Sequence, residues 1–143
     1  MKRFEFTLHR VRDLRRQQLE VEEAKLQALA AERAALDRAG ESLRNETAQI
    51  RQSLMVTGSA EAQELAAADR YLRTLQTAAK RHAGKLVEWQ GRVQKQRQAM
   101  VEARRRVRLL EKLEARQLGE WKAAADREEE NLSSELYLAR WKR

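Results

Sequence analysis

From Leu65 to Val107 an apolar residue returns at every seventh position: Leu65, Leu72, Ala79, Leu86, Val93, Met100 and Val107. A second series, Ala68, Leu75, His82, Trp89, Gln96, Ala103 and Leu110, follows three places behind it. Apolar residues repeating in this 3/4 spacing keep one narrow seam of a helix against a partner helix, so the pattern specifies a coiled coil. Gly84 and Gly91 interrupt it at about 1 kcal/mol each relative to alanine, and the length of the pattern outweighs them. The rest of the chain agrees: its 143 residues include no proline and are 36% charged and only 5% aromatic. Such a composition suits long helices and cannot fill a broad core.

The first third of the chain carries a partner seam. A 3/4 spacing selects Phe4, Leu8, Val11, Arg15, Leu19, Glu22, Leu26, Leu29, Arg33, Leu36, Gly40, Leu43, Thr47, Ile50 and Leu54. Thr7 is placed to cap the first turn, with Phe6 and Val11 at the two ends of a hydrophobic staple, so helix one should begin near Leu8. Between the seams "MVTGSAEA", residues 55–62, concentrates the turn formers. Gly58 can take a left-handed conformation and Ser59 can cap the next helix, with Glu61 in its first turn. After Leu110 the phase shifts to Leu118, Ala125, Leu132 and Ala139, a stutter.

These readings predict an all-α fold, a long antiparallel two-helix coiled-coil hairpin forming one domain over 1–143. Helix one covers about 8–55, the turn about 56–59 and helix two about 60–141. Pairing back across Thr57–Gly58 puts Leu43 near Leu72, Leu26 near Trp89 and Leu8 near Val107. The second helix should then overhang from about residue 113, leaving Trp121 and Trp141 without a partner.

The same features narrow the function. There is no cysteine for a disulfide or thiolate metal site, and no apolar run approaches the roughly 20 residues that cross a bilayer. A soluble, cytoplasmic protein is expected. His9 and His82 have no partner at metal-ligand spacing. "HAGKL" (82–86) lacks the first glycine and the Ser/Thr of a phosphate loop. A two-helix coil also encloses no pocket in which catalysis could exclude water, so no enzyme activity and no cofactor are expected. His82 and Trp89, seven apart, read as seam residues.

Charge is uneven: residues 70–116 hold fourteen Lys/Arg against four acids. The densest part, "EARRRVRLLEKLEARQ" (102–117), offers Arg104, Arg105, Arg106 and Arg108 for docking to an acidic protein surface. Phosphate backbones would be drawn to it too, but no interleaved aromatic offers base stacking. A solvated helix face is the third possibility. The N-terminal "KRFEFTLHRVRDLRRQQ" has an amphipathic character suited to a membrane surface, but the seam running through it favours pairing with helix two.

Three stretches, "KRFEFTLHRVRDLRRQQLEVEEAK", "YLRTLQTAAKRHAGKLVEW" and "LEKLEARQLGEWKAAADREEENLSSELYLARWKR", resemble the FliJ family of flagellar type III export proteins, which is similar to the stalk proteins of virulence secretion systems. The resemblance implies a rod-like stalk that enters the pore of a hexameric flagellar export ATPase (FliI-like). The stalk would also contact the cytoplasmic part of the membrane export gate (FlhA-like) and handle export chaperones, at the cytoplasmic face of the inner membrane. It maps Tyr71, Leu75, Ala78 and His82 onto gate-binding positions. By heptad phase Leu75 and His82 lie in the seam and Tyr71 and Ala78 beside it. The alternatives are a basic coiled-coil adaptor and a nucleic-acid-binding rod.

Overall fold

A computed structural model describes residues 1–56, 58 and 61–142. Two helices account for nearly all of them: α1, His9–Val56, and α2, Ala62–Trp141. Their contacts fall into two units, one formed by residues 23–99 and the other by residues 1–22 with 100–143. In each unit a segment of α1 packs antiparallel against a segment of α2, as the paired seams predict.

In the unit of residues 23–99 the first seam appears as expected. Leu26, Leu29, Arg33, Leu36, Gly40, Leu43, Thr47, Ile50 and Leu54 are its buried or half-buried positions, and Leu72, Leu75, His82, Leu86, Trp89, Val93 and Gln96 face them from α2. Leu75 and Val93 are the buried apolar residues of this unit, each 6% exposed. Leu65, 49% exposed, and Ala79, also exposed, depart from the pattern. The register lies within one helical turn of the expected one. Trp89 donates its indole N–H to the carbonyl of Leu29 at 2.7 Å, three residues from Leu26. A long side chain leans toward the N-terminus of its own helix, which shifts its contact along the antiparallel partner.

Gly84 and Gly91 lie on the exposed side of α2, and a Cβ built on either meets nothing within 4 Å. Gly84→Ala and Gly91→Ala should therefore each raise the unfolding free energy by about 0.5–1 kcal/mol, through backbone entropy alone. Urea unfolding of the single and double variants checks this. A loss at either site would mean that its glycine is needed for something other than the helix.

In the other unit Phe6, Ala103 and Val107 are buried, and the half-buried positions Leu110, Glu114, Leu118, Trp121 and Ala125 trace the stutter along α2. Three expectations are corrected here. First, Thr7 does not cap α1. The His9 backbone N–H and its Nδ1–H both donate to the carbonyl of Phe6, at 3.1 and 2.9 Å, and this closes the first turn. Second, Leu8 and Val11 are 37% and 40% exposed. Arg12 takes the inward place, its guanidinium 6.0 Å from the Phe6 ring centroid and ion-paired with Glu114. The Glu114 hydrogen bond, more than that of Asp13, holds Arg12 above its ordinary pKa.

Third, Trp121 has partners. It donates to the carbonyl of Lys2 at 3.1 Å, and its ring lies 6.1 Å from that of Phe4. Residues 1–6 are not helical. The same offset already holds within α1, where Arg12 meets Glu114, so Lys2 and Phe4 ahead of it come to Trp121. Arg16 joins the same set through Glu111 at 3.1 Å. Every described residue from Asp126 to Lys142 is exposed, so the unpaired tail of α2 begins there and not at 113.

Of the expected turn, Thr57 and Ser59 lie outside the described residues. Among the described residues no glycine has a positive φ. Glu61 sits just before α2, its carbonyl accepting the Leu65 N–H at 3.1 Å.

Candidate functional site

His82 and Trp89 lie one heptad, about two turns, apart on one seam, and each reaches a main-chain carbonyl on α1. The His82 Nε2–H donates to Leu36 at 2.6 Å, and Trp89 donates to Leu29. The two acceptors are seven residues apart, as are the two donors. In a helix the carbonyl of residue i lies beside residue i+4, which for Leu36 is Gly40. Gly40 is buried, and a Cβ on it would stand 2.7 Å from Cε1 of His82. The missing side chain is what lets the imidazole reach the carbonyl. At Leu29 the residue four places on is Arg33, whose guanidinium lies 5.1 Å from the Trp89 ring centroid. These side chains therefore lock helix to helix.

The four residues mapped onto gate-binding positions are placed differently from one another. Tyr71 is 48% exposed. Ala78, one heptad later, lines an open groove between the helices together with Thr74, Arg81 and Lys85 of α2 and Ala39 and Ser42 of α1. His82 also borders this groove, and it borders a second one edged by Arg44 and Arg51 of α1. Leu75 is buried, so its side chain supports the surface from beneath. The contribution of α1, namely Ala39, Ser42 and Glu46, was not found from the sequence. These residues flank the Leu36–Leu43 seam and could be assigned only once the register was known.

Glu46 ties the two helices at this surface by accepting a hydrogen bond from the Tyr71 hydroxyl at 3.1 Å. That hydrogen bond first, and the carboxylate charge second, raise the Tyr71 pKa above its ordinary value. The shift favours the neutral phenol in the folded chain. Its contribution is whole below about pH 10, the unfolded value, and is lost as pH rises through the higher folded value. Glu46→Ala should lower the phenolate transition of Tyr71, read by ultraviolet absorbance in a Tyr137→Phe background. An unmoved transition would mean that the carboxylate does not face the phenol in solution.

The second candidate surface lies on α2 in the other unit. Val101, Arg104, Arg105, Arg108, Leu109 and Lys112 line one exposed basic face. Arg106 is exposed but does not line it. Val101 and Leu109 stand 61% and 60% exposed among these cations. Among the described residues no group of His, Cys, Asp or Glu could hold a metal ion, and no helix is long and apolar enough to cross a membrane.

His82 and Trp89 are engaged in joining the helices, and the open faces are grooved beside Ala78 and basic along Arg104, Arg105 and Arg108. The family model described as flagellar FliJ protein matches residues 4–143, and the chain belongs to that family. It is thus a flagellar export-related protein. No curated protein and no solved structure matches it.

Proposed function

We propose that the chain is the stalk of a flagellar type III export apparatus, a non-enzymatic component seated in the hexameric export ATPase. It links that ring to the cytoplasmic part of the export gate, at the cytoplasmic face of the inner membrane. Family membership supports the setting. The observation that carries the ATPase contact is the exposed basic face at Arg104, Arg105 and Arg108, turned away from the seam. Arg106 adds charge beside it. Such complementarity acts mainly on the rate of encounter. The gate contact is assigned to Tyr71, Ala78 and the edge of His82, held in place by Leu75.

Binding kinetics to the purified ATPase hexamer test the first contact. The combined Arg104→Glu, Arg105→Glu, Arg106→Glu and Arg108→Glu variant should associate roughly tenfold or more slowly, with helix content unchanged. Raised salt should slow the native chain in the same direction. Indifference to both would remove the electrostatic docking. For the gate, Ala78→Arg should abolish binding while sparing the ATPase.

A second role, in handling export chaperones, is favoured by the tail, where Leu132, Leu136, Tyr137, Leu138 and Trp141 are 56–78% exposed. Deleting residues 126–143 should abolish chaperone binding and leave ATPase binding intact.

A further inference from the structure

On one exposed face of α2, charges before Gly119 are matched by opposite charges at equal distances after it. Gly119 is exposed, and a Cβ on it meets nothing within 4 Å. Seven residues before it stands Lys112 and seven after it Asp126; eleven before it stands Arg108 and eleven after it Glu130. Eighteen residues out on either side are Val101 and Tyr137, 61% and 67% exposed. Four residues out are two alanines, Ala115 and Ala123. All of these positions are exposed, and offsets of four, seven, eleven and eighteen keep them on the helix face that carries Gly119. Among the described residues no ion pair within the chain engages Arg108, Lys112, Asp126 or Glu130.

An antiparallel helix pair related by a two-fold axis brings residues equally far before and after the axis into contact, each pair occurring twice. We propose that this face of α2 binds the same face of a second copy of the chain, antiparallel, with the axis at Gly119. The pairing sets Lys112 against Asp126 and Arg108 against Glu130 twice over. It sets Val101 against Tyr137 at both ends, and it lets Gly119, Ala115 and Ala123 bring the backbones close at the crossing. The like-charge pairing it creates, Arg116 with Lys122, is relieved by Glu120, which holds Arg116 at 3.1 Å within its own chain. The contact runs over about 54 Å of helix at 1.5 Å per residue.

The inference does not rest on the proposed export role, and its test needs no other protein. Sedimentation equilibrium of the full chain should show a dimer at about 50 mM salt that weakens toward 500 mM. The variant Arg108→Glu with Lys112→Glu, and the variant Asp126→Lys with Glu130→Lys, should each raise the dimer dissociation constant by about tenfold or more. Mixed, the two should form a heterodimer of near-native affinity, because each altered half then meets its complement. The chain has no cysteine, so Gly119→Cys introduces a single thiol that should cross-link to itself under mild oxidation, while Gly84→Cys should not. A monomer at low salt would overturn the proposal. So would a dimer unmoved by the charge reversals, or one that cross-links equally through both thiols.

Discussion

Replacing Trp89 by alanine is expected to lower the unfolding free energy by about 2–4 kcal/mol, at the lower end of the range for a large aromatic because the indole is only half-buried. Three losses add up there. The ring is the largest side chain in the seam between residues 23 and 99, its N–H satisfies the Leu29 carbonyl, and it carries the Arg33 guanidinium on its face. Trp89→Phe separates the terms, since it keeps most of the apolar area and gives up the hydrogen bond. It should cost about 1 kcal/mol. Urea unfolding followed by circular dichroism measures both, with Trp141→Ala as the comparison. Trp141 is 78% exposed and should cost almost nothing. Equal losses at the two tryptophans would mean that the indole of Trp89 does not bridge the helices.

Gly40→Leu should be nearly as harmful, by about 2–3 kcal/mol, against the sign of helix propensity. Any residue other than proline gains on glycine in a helix interior, by up to about 1 kcal/mol for alanine. At Gly40 that gain meets the His82 ring 2.7 Å from the new Cβ. Alanine can be accommodated if the imidazole swings away and leaves the Leu36 carbonyl, so Gly40→Ala should come out near zero, with gain and lost hydrogen bond offsetting. Leucine drives its branch into the seam, and overpacking of about 1–3 kcal/mol joins the lost bond. The cycle with His82→Ala decides the cause. Gly40→Ala should become stabilising once the imidazole is gone, and a Gly40 effect independent of His82 would refute the notch.

The opposite behaviour expected at Gly84 and Gly91 shows how much was legible in the sequence. All three glycines lie inside long helical patterns, but only Gly40 falls on the 3/4 series of its own helix, and only Gly40 is covered. Periodicity also found the carriers of the interhelical contact, His82 and Trp89, because a seam is a repeating property that one chain displays in full. Register is a relation between two helices, and the sequence constrains it only by counting back from the turn. That count came within a turn between residues 23 and 99. It failed near the N-terminus, where Arg12 already meets Glu114 and Phe4 reaches Trp121. Arg12 replaced Val11 in the seam for a related reason: its long aliphatic stem can lie inward while its charge meets Glu114. The groove beside Ala78 was half legible, its α2 wall by resemblance and its α1 wall hidden by the same missing register.

Among the described residues no side chain is fully buried, and the apolar interior amounts to Phe6, Leu75, Val93, Ala103 and Val107. Unfolding such a protein uncovers little new hydrocarbon surface for its length, and hydrocarbon hydration is the main source of the heat-capacity increment. Its stability curve should be broad and shallow, so that folding free energy changes slowly between cold and warm conditions and no narrow optimum temperature is imposed on whatever machine it serves.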